Sequence, residues 1–272
     1  MKKKIFWAFA GIFLAALVAF AVWQTQALEL NTCTVKSDQL PTAFDGYRIA
    51  QVSDLHNACL GKDNEKLLTL LRQAEPDIIA ITGDMIDSRN TDVEIALAFA
   101  AEAVRIAPCY YVTGNHEARV PAAFRELRQG LAELGVTVLQ NESLLLERAG
   151  ETITLIGVDD PQFRGSTMDR KLAELVWRED FTVLLSHRPE LFETYVQSGA
   201  DLVLSGHAHG GQIRLPFVGA VIAPNQGFFP EYSEGMYTDG GTNMVVSRGI
   251  GNSVIPFRFL NPPEVVLVIL GQ

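Results

Sequence analysis

The sequence predicts an α/β fold in which helices flank a β-sandwich of two mixed sheets, preceded by an N-terminal transmembrane helix. Apolar runs alternate with helical patterns from residue 47 onward, which is typical of strands that helices cover on both faces. Further strand-like stretches in the second half indicate a second sheet. With 272 residues, of which 48% are hydrophobic, the chain is long enough for one domain with a large core.

An uncharged apolar run from Ile5 to Trp23 follows three lysines at positions 2 to 4. As a helix this run would rise about 28 Å, close to the thickness of a bilayer core. The lysines predict a cytoplasmic N terminus, with the rest of the chain outside. Cleavage of a signal peptide near residues 19–21 is the alternative and would give a secreted domain, but the run is longer than a signal peptide usually contains. We therefore divide the chain into a single-pass membrane anchor or signal segment, residues 1–27, and an extracytoplasmic domain, residues 28–272.

Strand and helix patterns alternate over the first half of this domain. The apolar residues Leu67, Leu68 and Leu71 recur on one face of the first helix, and Pro121 stands at the first position of the third. Strands are predicted at residues 47–54, 77–84 and 109–117, and the last of these runs on into a loop. The helices that follow them are predicted at 64–74, 93–107 and 121–134.

The second half contains more strand patterns and becomes rich in glycine, proline and aromatic residues towards its end. This composition favours turns and β-structure over helices. We expect strands at 136–139, 144–147, 152–157, 181–187 and 201–209, helices at 168–177 and 190–196, and a β-rich remainder that closes with a strand at 264–270.

The domain is acidic. Apart from the three N-terminal lysines it carries 19 basic and 32 acidic residues, a net charge of −13. This balance excludes sequence-independent binding to nucleic acid, although bound metal ions can still attract small phosphorylated substrates. The cysteines Cys33, Cys59 and Cys109 contain no CxxC pair, and any disulfide would leave at least one free thiol.

Polar side chains follow five of the predicted strands at the point where each strand ends, in "SDLH", "TGDMID", "TGNHE", "SHRPE" and "SGHAH". Ligands of such folds bind at the carboxyl ends of strands, so these side chains should meet. All five histidines of the chain lie in these loops. The potential metal ligands are Asp54, His56, Asp84, Asn115, His187, His207 and His209, with His116 and Glu117 beside them.

Each of these motifs alone is typical of an ordinary turn or helix cap, but together they form a set of oxygen and nitrogen donors without thiolate. Such a set suits Mn, Fe or Zn, and seven donors are too many for one tetrahedral zinc. Two ions that share a bridging carboxylate would use them all. In "GHAH" we expect an extended segment, because alternate residues of an extended chain point to the same side and His207 and His209 could then serve neighbouring ions.

The ordered motifs DLH, GD, GNHE, SH and GHAH resemble those of the calcineurin-like metallophosphoesterases over most of residues 47–215. The later stretches "GGQIRLP", "QGFFPEY", "SRGIG" and "FRFLNPPEV" resemble the exported or membrane-anchored bacterial branch of that family. The resemblance implies that residues 28–272 are a metallophosphoesterase domain with a helix-flanked pair of sheets and two divalent or mixed-valence metal ions.

Carried over by motif, the resemblance implies a catalytic role for His116 next to the leaving group and a bridge between both metals through Asp84. It places Asp54, His56 and His209 on the first metal, and Asn115, His187 and His207 on the second. The function it implies is hydrolysis of phosphoesters, most specifically a phosphodiesterase that acts outside the cytoplasm on envelope or lipid-linked phosphates. A nucleotide or monoester phosphatase is the alternative within enzymes. A metal-stabilised binding protein with little turnover is the alternative from another class.

Two further features of the sequence can each be interpreted in two ways. Arg188 and Arg214 flank the histidine motifs and could contact phosphate or form structural ion pairs. The aromatic stretch from Phe217 to Tyr237 could form a wall of the cleft or face lipid, but ordinary packing in the core or a hairpin is favoured.

Overall fold

The computed structural model describes residues 2–163, 167–175, 180–252 and 255–272. Its helices are α1 (Lys2–Gln26), α2 (Glu65–Ala74), α3 (Val93–Ala103), α4 (Asn115–Arg119), α5 (Pro121–Glu133), α6 (Met168–Ala173) and α7 (Phe192–Ser198). Its strands are β1 (Glu29–Lys36), β2 (Arg48–Val52), β3 (Ile78–Thr82), β4 (Cys109–Val112), β5 (Thr137–Val138), β6 (Glu142–Arg148), β7 (Glu151–Gly157), β8 (Thr182–Leu185), β9 (Leu202–Ser205), β10 (Arg214–Leu215), β11 (Gly219–Ala220), β12 (Ile222–Ala223), β13 (Gly227–Phe228), β14 (Gly235–Asp239), β15 (Thr242–Val246) and β16 (Glu264–Gly271).

The strands form two mixed six-stranded sheets, as the sequence predicts. The first sheet has the order β1-β16-β2-β3-β4-β5 and is parallel except where β16 meets β2. The second has the order β14-β15-β9-β8-β7-β6, with a parallel centre and antiparallel edges. Two small hairpins, β10–β11 and β12–β13, follow the last histidine motif.

The buried apolar side chains form three clusters. They lie between four layers, which are an outer layer of helices, the first sheet, the second sheet and another outer layer of helices. In β3, Ile79 and Ile81 pack against α2, α3 and α5, whereas Ile78 and Ala80 face the second sheet. This alternation follows from the two-residue period of a strand and explains why the run is apolar at every position. The third cluster lies between the second sheet and the helices α6 and α7. The fold is therefore a β-sandwich with helices on both outer faces.

Several predicted boundaries differ from the observed ones. The loop predicted at 115–117 is wrong, because α4 begins at Asn115. The backbone N–H of Gly114 donates to the carboxylate of Glu117 at 2.8 Å, which satisfies a free donor at the start of this helix. The helix predicted at 168–177 is shorter and ends at Ala173, and positions 176–177 lie outside the described residues. The α5 helix begins at Pro121, as predicted.

The N-terminal helix α1 is long and apolar enough to cross a membrane, with a mean hydropathy of 2.5 over its most apolar part. Most of its side chains are exposed, so α1 is no core helix. Among the described residues, contacts with the domain come from its C-terminal end, where Ala21 and Gln24 are buried. All three cysteines are free.

The aromatic stretch from Phe217 to Tyr237 does not pack as one unit. The rings of Tyr232 and Tyr237 lie 5.1 Å apart and belong to the apolar cluster under α7. By contrast, Phe217, Phe228 and Phe229 are exposed. The expectation of ordinary packing is therefore correct for the end of this stretch and wrong for its two hairpins.

Candidate metal centre

The seven potential ligands meet at one edge of the sandwich, because β2, β3 and β4 of the first sheet and β8 and β9 of the second all end there. The amide of Gln51 joins the two sheets just below this edge, donating to the carbonyl of Ser205 at 2.8 Å and to the hydroxyl of Thr82 at 3.0 Å. Six of the seven residues form two compact groups, and a third possible group joins His56 to Asp87 and His116. Asp54, His56 and His209 form the first, and Asp84, His187 and His207 form the second.

In the first group the donor atoms point at one another. Nε2 of His209 lies 3.3 Å from Oδ1 of Asp54 and 3.2 Å from Nε2 of His56. The second oxygen of Asp54 accepts hydrogen bonds from the hydroxyl of Ser53 and from the backbone N–H of His207, at 2.6 and 3.0 Å. The same N–H of His207 also lies 3.2 Å from Oδ1, so two donors hold Oδ2, whereas Oδ1 shares one of them and faces the imidazoles.

Asp84 lies between the two groups. Its Oδ2 is 3.5 Å from Nε2 of His56 and 3.2 Å from Nε2 of His187, whereas its Oδ1 accepts the backbone N–H of His116 at 2.8 Å. The imidazole of His187 donates from Nδ1 to the carbonyl of Thr82 at 2.7 Å, which leaves Nε2 unprotonated and directed at Asp84 in the neutral ring. One carboxylate oxygen thus belongs to both groups.

His207 is held in the second group from both of its nitrogens. Its Nε2 lies 3.1 Å from Oδ1 of Asn225 and 2.9 Å from a guanidinium nitrogen of Arg188, which can only donate, so Nε2 accepts and the neutral ring carries its proton on Nδ1. The side-chain amide of Asn115 lies 2.8 Å from that Nδ1. With the amide oxygen on this side, Asn115 accepts the Nδ1 proton, and a cation that replaces this proton would bind both atoms. Burial, His187 and Arg188 together hold the pKa of His207 well below its usual range.

The charges of the buried side chains at the site favour the binding of cations. Burial by itself would raise the pKa values of Asp54 and Asp84, but the neighbouring imidazoles outweigh it and lower both. In the same way, burial opposes protonation of His187, yet the carboxylate of Asp84 raises its pKa to about 10. Within the described parts of the chain, no lysine or arginine forms an ion pair with Asp54 or Asp84. Two buried carboxylates surrounded by imidazole nitrogens fit bound metal ions.

The backbone around the donors is strained. Five of the seven donor residues have a positive φ between 45° and 66°, a conformation that costs about 1–3 kcal/mol for a residue other than glycine and is found at functional sites. The five residues are Asp54, His56, Asp84, His207 and His209. Only glycine fits at position 83, because its φ is +92° and a Cβ there would lie 2.7 Å from Nδ1 of His187.

The extended conformation predicted for "GHAH" is wrong. His207 is left-handed, Ala208 is helical, and His209 begins a short 3₁₀ turn. The two side chains consequently diverge: His207 joins Asp84 and His187, and His209 joins the first group. A turn achieves what the two groups require, because a single strand face would direct both imidazoles the same way.

His116 lies beside the first group, with its ring centroid 4.4 Å from that of His56. Its Nδ1 accepts the backbone N–H of Ser88 at 2.9 Å, so the neutral ring carries its proton on Nε2. Burial lowers its pKa to about 4, against the opposing effect of Asp84. The carboxylate of Asp87 lies 3.5 Å from Nδ1.

Glu117 supports the loop that carries Asp84. It is fully buried and accepts the backbone N–H groups of Gly114, Asp84 and Ile86 at 2.8, 3.0 and 3.2 Å. Burial, together with the nearby carboxylate of Asp84, raises its pKa to about 7. Glu117 is therefore a positioning residue for the bridging carboxylate.

Arg188 and Arg214 form ion pairs. The buried guanidinium of Arg188 forms a two-pronged ion pair with Asp160 and lies 2.9 Å from Nε2 of His207. Arg214 pairs with Glu234 at 2.7 Å. Of the two interpretations of these arginines, the structure favours the structural one.

Three contributors are absent from the sequence prediction. Asp87 stands three residues after Asp84 in "GDMID", and that spacing could have indicated it. Asp160 and Asn225 contact the site only through long-range packing, and no local pattern in the sequence marks them.

Comparison with known proteins identifies the family. The sequence pattern of the calcineurin-like phosphoesterase family matches residues 47–211. The uncharacterised metallophosphoesterase YkuE of Bacillus subtilis is 34% identical over 250 residues, which cover 89% of this chain and 85% of that protein. A transmembrane protein with a metallophosphoesterase domain from Danio rerio is 29% identical over 252 residues, which cover 86% of this chain but 55% of the longer fish protein.

Solved structures agree on the fold. The sulfate thiohydrolase SoxB of Thermus thermophilus superposes with a TM-score of 0.53 at 12% identity, over 85% of this chain and 57% of that one. The TT1561 protein of Thermus thermophilus superposes with a TM-score of 0.50 at 14% identity, over 75% of this chain and 90% of that one. Together with the two donor groups, these matches show that the chain belongs to the dimetal-dependent calcineurin-like phosphoesterase family and is a metal-dependent hydrolase of phosphoester bonds.

Proposed function

We propose that the protein is a phosphodiesterase, anchored by residues 1–27, whose domain of residues 28–272 acts outside the cytoplasm on envelope or lipid-linked phosphates. The observation that carries the catalytic part is the position of Asp84 Oδ2 between His56 and His187. In this proposal two metal ions would share Asp84. Asp54, His56 and His209 would hold one ion, and Asn115, His187 and His207 would hold the other.

Bound at these residues, the two ions supply Lewis-acid stabilisation of the phosphoryl oxygens and a water-derived nucleophile near neutral pH. The protein side chains supply the rest. The Nε2–H of the neutral His116 ring donates a hydrogen bond that stabilises the charge on the leaving oxygen, while the N–H of Ser88 fixes the tautomer of that ring. Glu117 holds the Asp84 loop in place.

Charge favours a diester over a monoester. The guanidinium of Arg188, which is close to His207, is already neutralised by Asp160. A monoester carries up to two negative charges and gains more from an additional free cation than a diester, which carries one. Arg119 also lies near Asn115, but it is exposed, so water and salt screen its charge and a second negative charge on the substrate gains little from it.

To test this function, the full-length protein in detergent is loaded with Mn²⁺ and given bis(p-nitrophenyl) phosphate, p-nitrophenyl phosphate and a pyrophosphate diester. We expect kcat/KM to be about tenfold or more higher for the diester than for the monoester. A chelator should abolish turnover, and added Mn²⁺ should restore it. A higher value for the monoester would support the phosphatase alternative. Full metal loading without turnover of any substrate would support the binding protein.

The location is tested through Cys59, which is exposed, whereas Cys33 is partly buried and Cys109 is buried. A membrane-impermeant maleimide should label Cys59 in intact spheroplasts, because the lysines at positions 2 to 4 keep only the N terminus inside. The Cys59→Ser variant serves as the control and should lose most of the label. Labelling that appears only after lysis would place the domain in the cytoplasm and overturn the proposed topology.

A further inference from the structure

Two hairpins immediately after the ligand His209 expose apolar side chains. We call them the hairpin wall and define it as Leu215, Phe217, Val218, Phe228 and Phe229. Phe217 is fully exposed, and Phe228 and Phe229 are 72% and 67% exposed. Single exposed apolar residues are ordinary, but a contiguous group of this kind marks a surface that contacts protein or membrane.

The C-terminal end of α1 lies against the loop of residues 257–261. The ring of Phe20 contacts that of Phe259 at 5.8 Å between centroids. The hydroxyl of Thr25 accepts the backbone N–H of Arg258 at 3.1 Å. Since Phe20 belongs to the apolar run, Phe259 lies at the depth of the last turns of the span, where aromatic residues meet the membrane boundary.

The strand that leads into the hairpin wall is hydrogen-bonded to this loop. The N–H of Arg214 donates to the carbonyl of Phe259 at 2.9 Å. On the neighbouring strands, Val221 donates to Ile213 at 3.0 Å, and Phe229 donates to Val221 at 2.9 Å. Phe217 is only three residues from Arg214, within about 11 Å along the chain. Both hairpins therefore lie close to the end of α1.

Charge along this segment distinguishes it from the rest of the domain. Between Asp201 and Glu231 the sequence contains no acidic residue, and Arg214 is its one arginine. The domain as a whole has a net charge of −13. An acid-free segment carries no negative charge that anionic lipid headgroups would repel, unlike the acidic surface of the rest of the domain.

The same segment contributes directly to the metal centre. Asn225, in the turn of the second hairpin, contacts His207 at 3.1 Å. Asn261, in the loop beside α1, donates to the carbonyl of His209 at 2.7 Å. The two hairpins that carry the wall, the loop beside α1 and both GHAH histidines are thus linked by direct contacts.

We propose that the hairpin wall inserts into the interfacial layer of the bilayer that α1 spans, and that the metal centre hydrolyses phosphoesters of amphiphiles whose apolar part stays in that bilayer. This inference rests on the proposed function and narrows its substrates to molecules presented by the membrane. Insertion places the phosphoester layer of the bilayer beside His207 and His209. A water-soluble diester would use the same centre without needing the wall.

Insertion is tested with full-length protein in nanodiscs. In Phe217→Trp, brominated lipids should quench tryptophan emission beyond the quenching of the parent protein. The matched control is Leu145→Trp, because Leu145 is 42% exposed on β6, at the edge of the second sheet. No additional quenching is expected there. Equal quenching in the two variants, or none at position 217, would overturn insertion, and self-association through the wall would then be the remaining use of this surface.

The substrate inference is tested with a serine variant, Phe217→Ser with Phe228→Ser and Phe229→Ser, and with Leu145→Ser as its control. Hydrolysis of soluble bis(p-nitrophenyl) phosphate should stay within about twofold of the parent, because these side chains do not contact the donor groups. Hydrolysis of an acyl-chain nitrophenyl phosphodiester in vesicles should fall about tenfold. An equal fall for both substrates, or no fall for either, would contradict the proposal. A parent that hydrolyses neither substrate would instead refute the proposed function.

Discussion

Asp84→Asn is expected to remove metal binding and activity together, with kcat/KM falling by about 10³-fold or more. The substitution keeps the shape of the side chain but removes the negative charge of the oxygen that lies 3.5 Å from His56 and 3.2 Å from His187. Both donor groups lose the charge that they share, so neither ion should be held tightly. Elemental analysis of the purified protein and initial rates with a soluble diester measure the two losses.

The control for Asp84→Asn is Asp169→Asn, which makes the same chemical change at an exposed position in α6. It should leave metal content and turnover unchanged. Two metal ions per chain are expected in the parent protein. A fully active parent with one ion or none would contradict the two-metal assignment, as would Asp84→Asn protein that retains both ions and full activity.

The location of the metal centre could be predicted from the sequence because of how strands end. The apolar runs of β2, β3 and β4 stop shortly before Asp54, Asp84 and Asn115, and parallel strands place their carboxyl ends at one edge. A polar residue directly after a fully apolar run therefore has few places to lie. The same reasoning holds in the second sheet for His187 and His207.

Other features depended on tertiary contacts. The positive φ of His207 and His209 follows from the need to direct two imidazoles to different groups, and a pattern of alternating residues does not contain that need. Asn225 contacts His207 only because a hairpin folds back over the site. The exposure of Phe217 and Phe228 could not be predicted either, since apolar composition is the same for a core hairpin and for one that faces lipid.

His116→Ala is expected to lower kcat by about 10²- to 10⁴-fold while metal content stays at two ions per chain. The ring lies against His56 but is absent from both donor groups that contain the carboxylates Asp54 and Asp84. Its Nδ1 accepts the N–H of Ser88, so the Nε2–H is the donor that it can direct at the charge on a leaving oxygen. Loss of this proton donor should matter least when the leaving group is already a stable anion.

The comparison of leaving groups makes His116→Ala specific for proton donation. The fall in kcat should be small for a p-nitrophenyl ester and large for an alkyl ester, because an alkoxide needs a proton to leave and a nitrophenolate does not. His207→Ala is the matched control, because it removes an imidazole of the second donor group. It should lose metal and slow the hydrolysis of both substrates by the same factor. If His116→Ala loses as much metal as His207→Ala, or slows both esters equally, His116 is a ligand or a structural residue rather than the proton donor.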